Sequence, residues 1–270
     1  MIDLDGHVVI VTGAAGRIGS ETARVMAELG ARVVAADVAE APLRDVVADI
    51  AASGGSAFAQ VCDISDEAQV RALVAAAVDA HGRVDLLDNN AAALAISTDD
   101  QMLTDMPLEL WERTMAVNLR GPMLCAKHTL PVMMAQGGGA IVNISSGMSL
   151  AGDSHHVAYG CSKGGVNSLT RYIATQYGQF GVRCNALALG IITPDALDPA
   201  GPPAAYEPYV RHKLVGRLGH PRDVAQAVAF LGSSASAYLT GQVISLDGGF
   251  FAHVPSFTST LQSHEQKGTP

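Results

Sequence analysis

The 270-residue chain has no apolar run approaching the roughly 18 residues that a bilayer span requires. Yet 49% of its residues are hydrophobic, so the excess belongs in a buried core. Cysteine is sparse. Cys62, Cys125, Cys161 and Cys184 form no CxxC pair, which argues against zinc ribbons and redox pairs and leaves buried free thiols as the expectation. Positive charge is also short, with 17 Lys and Arg against 26 Asp and Glu and a net charge of −9. Nucleic acids and anionic membranes select a basic footprint, so neither is an expected partner. No basic stretch or cleavage-site pattern precedes the first apolar run at Val8, which makes the cytoplasm the expected location.

What is present is an alternation of short apolar runs with helical stretches. Val8 to Val11, Arg32 to Ala36, Ala57 to Val61, Val84 to Leu87, Ala140 to Ile144, Val182 to Leu187 and Val243 to Leu246 read as seven strands. Ile18, Thr22, Val25, Met26 and Leu29 fall on one helical face, and Gly30 stops that helix. Another helix runs through about Ala52, a third contains Val70 to Val78, and Asn118 falls in a long helix after Trp111. This order predicts an α/β fold: a single Rossmann-type doubly wound domain, its seven-stranded parallel sheet covered by helices on both faces. No repeat or linker divides residues 1–249. Residues from about 193 to 221, rich in Pro and Gly, have the size of a substrate loop, and 250–270 form a C-terminal tail.

The first strand leads into Thr12-Gly13-Ala14-Ala15-Gly16-Arg17-Ile18-Gly19 and then a helix. Glycines there let the backbone approach a pyrophosphate, while the helix N-terminus offers unpaired N–H groups and a favourable dipole. A lone glycine-rich turn is weak evidence, but this one sits between the correct elements and is followed by Asp37 at the end of strand two. A carboxylate there accepts hydrogen bonds from ribose hydroxyls and repels a 2′-phosphate, favouring NAD over NADP. The alternative is that Asp37 only caps the next helix. Arg17 points the other way, since a guanidinium at the helix start can meet a phosphate.

Tyr159 and Lys163, four residues apart, share a helical face, and Ser146 precedes the tyrosine in Asn143-Ile144-Ser145-Ser146. Alone the pair would be an ordinary surface feature; its order after the nucleotide turn changes that. In Thr12 to Gly19, Asp63, Asn89-Asn90-Ala91, Asn118, Ser146, Tyr159 with Lys163, Gly190, Thr240-Gly241-Gln242 and Asp247-Gly248-Gly249, the chain resembles the short-chain dehydrogenase/reductase family over about Leu4 to Gly249. The resemblance implies that Tyr159 is the acid/base. Lys163 would bind the nicotinamide ribose and lower the tyrosine pKa, and Ser146 would hold the substrate oxygen. Asn118 would support a water chain to Lys163. It also implies that Gly13, Gly16, Arg17, Ile18, Gly19, Asp37, Asp63, Ile64, Asn90, Ala91, Gly190 and Ile192 contact the cofactor, with no metal. Three positions depart from the family pattern. The middle glycine of the turn is one place early, Ala92 replaces a glycine, and Leu189-Gly190 stands for Pro-Gly with Thr193 one residue closer than usual.

The expected reaction is hydride transfer between NAD(H) and a small secondary alcohol or ketone. Ala93, Leu94, Met148 to His156 and the loop from Thr193 are mostly apolar, which suits a neutral, partly hydrophobic or cyclic substrate. One of His155 and His156 either touches substrate or acts as a second proton carrier, or else the two cap the helix or face solvent. The rival reading is a non-redox nucleotide-binding or regulatory protein of the same fold. A homotetramer is expected. Met123, Leu124, Leu130, Met133, Met134, Leu169, Ile173 and Phe180 supply apolar helix faces, and a tail beginning Phe250-Phe251 is able to reach a neighbouring subunit.

Overall fold

Valine and isoleucine are stiff at χ1 and fit a pleated sheet better than a helix. The first run of them, Val8–Thr12, is strand β1, buried at every position. The computed structural model describes residues 2–93, 99–197, 204–254, 256 and 257. After β1 come α1 (Arg17–Glu28), β2 (Arg32–Asp37), α2 (Glu40–Ala52), β3 (Ser56–Val61), α3 (Glu67–His81) and β4 (Leu86–Asn89). They are followed by α4 (Leu108–Met115), α5 (Gly121–Ala135), β5 (Gly139–Ser146), α6 (Val157–Tyr177) and β6 (Val182–Leu189). The last elements are α7 (Glu207–Val210), α8 (Pro221–Gly232) and β7 (Val243–Leu246).

All seven strands are parallel, in the order β3-β2-β1-β4-β5-β6-β7. Alternate strand residues pack into two apolar layers. Val9, Val11 and Leu86 meet side chains of α1, α2 and α8, whereas Val8, Ile10 and Leu87 meet those of α3, α5 and α6. The order reverses between β1 and β4, and a crevice at the carboxyl ends of such strands is where open α/β sheets bind ligands.

Several expected boundaries move. Val84 is buried outside the strand ladder because the Gln136 side chain takes up its backbone: Gln136 Oε1 accepts from Val84 N at 3.2 Å, and Nε2 donates to Val84 O at 2.8 Å. Strands β5 and β6 each run two residues past the expected end, since Ser145 pairs with Ala188 and Ser146 with Leu189. The long helix after Trp111 is interrupted at Ala116–Arg120 by a π-turn that contains Asn118. Cys62, Cys125 and Cys184 are buried, but Cys161 is exposed. It lies on the side of α6 turned away from the buried Val166, Thr170 and Ile173.

The list of apolar interface candidates also shortens. Leu124, Leu130, Met133 and Ile173 belong to the core beneath α5 and α6. Met123 and Phe180 are exposed, as is Tyr172, which the sequence reading passed over. The tail begins by packing on its own subunit. Phe250 meets His212 edge-on at 5.7 Å and Phe251 at 5.0 Å, and His253 Nε2 lies 2.9 Å from the His212 carbonyl. Its apolar start therefore covers the chain's own loop. Leu94, residues 198–203 of the substrate loop and the tail from 258 onward lie outside the described residues.

Candidate active site

The turn after β1 is shaped by close backbone approaches. Gly13 has φ +69°, and a Cβ there would lie 2.7 Å from Ala91 Cα. A Cβ on Gly19 would collide with the Gly13 carbonyl oxygen, so the first turn of α1 packs directly on the loop before it. Gly16, the N-cap of α1, has no side chain to cap this end, and no acidic residue occupies its first turn. That leaves the N-terminal amides and the dipole available to an anion. Asp37 closes the far side. Its Oδ2 accepts from Ala15 N at 3.0 Å and its Oδ1 from Ala39 N at 2.9 Å, so it braces both the glycine turn and the entry to α2.

The second wall comes from β4. Thr12 Oγ1 donates to the Asp88 carbonyl at 3.1 Å and accepts from Asn90 N at 3.1 Å and Ala91 N at 3.2 Å. Asn90 Nδ2 in turn donates to the Thr12 and Gly13 carbonyls at 2.9 and 3.2 Å. Asp63 Oδ1 accepts from both Ser65 N and Ser65 Oγ, at 2.8 and 2.7 Å. These bonds hold Asp63 and Asn90 at the rim of one cavity of about 560 Å³. Gly13, Gly16, Arg17, Ile18, Gly19, Asp37, Asp63, Ile64, Asn90, Ala91, Gly190 and Ile192 all line it, as do Ser146, Tyr159 and Lys163.

At the β5 side the polar groups are buried. Lys163 is 2% exposed, with Nζ donating to the Ile144 carbonyl at 2.7 Å and lying 5.7 Å from the centre of the Tyr159 ring. Burial lowers its ammonium pKa to about 8. Burial raises the Tyr159 phenol, opposed by a hydrogen bond with the Ser146 hydroxyl. The lowering expected from Lys163 is not seen in the protein alone: only the serine contact opposes burial, and removing a phenolate from water costs more than that contact returns. Ser146 Oγ also accepts from Met148 N at 3.2 Å, which fixes the rotamer aimed at the cavity.

Asn118 does not line this cavity. Its Oδ1 accepts from Ala93 N at 2.8 Å, and its Nδ2 donates to Ser162 Oγ at 3.3 Å. Ser162 Oγ donates to the Tyr159 carbonyl at 2.7 Å, so the asparagine side chain ties the β4 loop to the tyrosine helix. His155 and His156 do not line the cavity either; His155 Nδ1 pairs with Ser154 Oγ at 2.9 Å. Gly190 is required where it stands, since a Cβ would lie 2.7 Å from Lys213 Nζ and 2.9 Å from Asp247 Cα. Thr193, whose position was shifted in the sequence pattern, is buried at the base of the loop, its N–H donating to the Gly219 carbonyl at 2.8 Å. Sequence reasoning missed Val38, Cys62, Arg113 and Val117, which also line the cavity. Arg113 and Val117 are four apart and so share a face of the helix, a signal that marks a helix face without saying what it faces.

The family model described as enoyl-(acyl carrier protein) reductase matches residues 13–251. A probable short-chain type dehydrogenase/reductase of Bradyrhizobium diazoefficiens is 44% identical over 253 residues, 94% of this chain and 90% of that one. The chain belongs to the short-chain dehydrogenase/reductase family. Cis-4-hydroxycyclohexanecarboxylate dehydrogenase of Sinomonas cyclohexanicum is 39% identical over 247 residues, covering 91% of this chain and 97% of the relative. A solved 7α-hydroxysteroid dehydrogenase, in complex with NADH and 7-oxo glycochenodeoxycholic acid, superposes with a TM-score of 0.84 at 34% identity, over 92% of this chain and 95% of the other. The protein is accordingly an oxidoreductase of the short-chain alcohol dehydrogenase/ketone reductase type, a family that binds nicotinamide cofactors. The cavity fits such a group: glycines pack where the backbone must be bare, and acidic and amide side chains stand at the rim. Among the described residues no helix is long and apolar enough to cross a membrane.

Proposed function

We propose that the chain interconverts a small, neutral, partly hydrophobic or cyclic secondary alcohol and its ketone, with NAD(H) as cofactor and Tyr159 as acid/base. One observation carries this reading. Ser146, Tyr159 and Lys163 line the same cavity as the glycine turn and Asp37, and Ser146 at the end of β5 is three strand spacings from Asp37 at the end of β2. Strands lie about 4.8 Å apart, so the two groups stand roughly 14 Å from each other, a span suited to a dinucleotide.

The nicotinamide, when bound, supplies the hydride chemistry. The glycine turn and the α1 N-terminus would hold the pyrophosphate, Asp37 the adenosine ribose, and Asp63, Ile64, Asn90 and Ala91 the adenine side. Lys163 would reach the second ribose. Tyr159 gives its phenolic proton to the substrate oxygen in reduction and takes it back in oxidation. Ser146 donates to that same oxygen, where charge develops. The Ile144 carbonyl fixes Lys163 below the ring, and the Lys163 ammonium eases formation of the phenolate.

The preference for NAD rests on Asp37, whose carboxylate would face a 2′-phosphate with like charge. Ala92, Ala93, Val117, Ile191 and Ile192 give the cavity an apolar side, and two relatives are named for ring alcohols; both favour a cyclic substrate. Exposed Met123, Tyr172 and Phe180 on and after α5 and α6 support a homotetramer. The test is a screen of cyclic and open-chain secondary alcohols with NAD⁺ and NADP⁺, following absorbance of the reduced cofactor. Turnover of ring alcohols with NAD⁺ is expected. Tight NADH binding with no turnover of any alcohol or ketone would replace this reading with a non-redox one.

A further inference from the structure

Helix α6 carries the tyrosine in its first turn, where backbone N–H groups have no partners within the helix. Its N-cap, His156, makes no side-chain cap and is the one non-glycine residue with positive φ, +66°, among the described residues. The missing acceptors come from Asp100, on the connection between β4 and α4. Asp100 Oδ1 accepts from Ala158 N at 3.1 Å, and Oδ2 accepts from Tyr159 N at 2.8 Å. Its backbone carbonyl accepts from His156 N at 2.9 Å. Asp100 is only 2% exposed.

We propose that Asp100 is a positioning residue for Tyr159, holding the first turn of α6 through the tyrosine's own amide. This rests on the reading of Tyr159 as the acid/base. All three hydrogen bonds to this turn come from one buried residue, and two of them are charge-assisted. The placement matters more than the number. The Tyr159 side chain departs from the very residue whose N–H is held, so a shift of this turn moves the phenol directly. Lys163, one turn further on, is anchored separately through Ile144, and Asn167 through its Nδ2 to Ser149 Oγ at 2.8 Å. Loss of Asp100 therefore frees the tyrosine end of α6 while the lysine end stays in place. That would change the spacing between phenol, Ser146 hydroxyl and ammonium, the geometry on which proton transfer depends. His156 adds to the demand, because a left-handed residue just before the helix is held by its surroundings and relaxes when they are removed.

The experiment uses the full chain with Asp100→Ala and Asp100→Asn, each also on a Tyr159→Phe background. Asparagine keeps one acceptor oxygen and the side-chain shape, so Asp100→Asn should fold even if the alanine variant does not. The expected result is a fall in kcat of roughly 10- to 100-fold for Asp100→Ala, and a smaller one for Asp100→Asn. NADH affinity, read by fluorescence, should stay within about threefold, because Asp37 and the glycine turn are untouched. On the Tyr159→Phe background the same change should cost almost nothing further in residual rate, the signature of one residue acting through another. If Tyr159→Phe is inactive while both Asp100 variants keep kcat within about twofold, the proposal fails and the role of Tyr159 stands. An equal loss in both backgrounds, or a parallel loss of NADH affinity, also overturns it, since Asp100 would then be supporting the fold in general. An active Tyr159→Phe removes the reading beneath it instead.

Discussion

The Asp37 carboxylate closes onto the glycine turn, its Oδ2 accepting the Ala15 amide hydrogen at 3.0 Å while Oδ1 accepts that of Ala39 at 2.9 Å. A carboxylate has about four lone-pair sites, so two remain for the paired hydroxyls of a ribose. Asp37→Ala should lower kcat/KM with NAD⁺ and narrow the gap to NADP⁺, since close like-charge repulsion is worth on the order of 1–3 kcal/mol. The ratio of the two kcat/KM values is the measurement, because the variant also loses two structural hydrogen bonds. A wild-type enzyme that prefers NADP⁺ would mean that Arg17 outweighs Asp37.

Burial raises the Tyr159 pKa, so the protein alone favours a protonated phenol at neutral pH. The protonated form is the one that donates to a ketone. Reduction should hold a plateau on the acid side and fall as pH rises through the phenol pKa, whereas oxidation should climb over the same range. Paired pH profiles of kcat/KM in the two directions would show this. Ser146→Ala removes the contact that opposes the shift and should move both limbs to higher pH.

Asp88 is the fully buried central residue of β4, paired in register with Val11 on one side and Val142 on the other. Among the described residues neither carboxylate oxygen has a hydrogen-bond partner, and burial raises its pKa well above the ordinary value. The folded protein therefore keeps a proton that the unfolded chain releases above about pH 4. Wild-type stability should fall as pH rises from there toward the folded pKa. Asp88→Val fits the valines on either side and removes that proton linkage. Its melting temperature should exceed wild type by several degrees at pH 8, with the difference shrinking toward pH 4. Identical pH dependence in the two proteins would show that Asp88 is paired or solvated in solution.

Gly147 follows Ser146 directly, and a Cβ there would run into the Phe251 ring of the tail. Asp247 sets that ring in place, its Oδ2 accepting from Phe251 N at 3.1 Å and its Oδ1 from Gly249 N at 2.8 Å. Gly147→Ala should displace either the tail or the serine turn and raise the substrate KM several-fold. Phe251→Ala in the same chain should relieve the collision and restore much of the loss. A double variant no better than Gly147→Ala alone would place the strain within the turn.

Much of this protein is legible in its sequence. Strand runs rich in Val and Ile, interrupted by amphipathic helices, report local periodicity, and that is enough for a parallel doubly wound sheet. The Gly13 to Gly19 turn, Asp37, Ser146, Tyr159 and Lys163 were readable because their chemistry depends on order and short spacing. The end of β5 was hidden by Ser145 and Ser146, polar residues that pair in the ladder without extending an apolar run, and β6 extends through Ala188 and Leu189 because those serines supply its ladder partners.

Sequence by itself determined the succession of elements, the two apolar faces and the set of groups we propose to bind a dinucleotide and move a proton. Tertiary structure alone decided which of those groups meet. Asn118 turned out to face Ala93 and Ser162 and to stay off the cavity wall, while Asp100 came to hold the amide of Tyr159 from 59 positions away. The balance of burial and hydrogen bonding at Tyr159, the bare carboxyl of Asp88 and the seating of the tail on Gly147 belong to the same class. Each depends on desolvation or contact between segments far apart in the chain, and local periodicity carries no information about either.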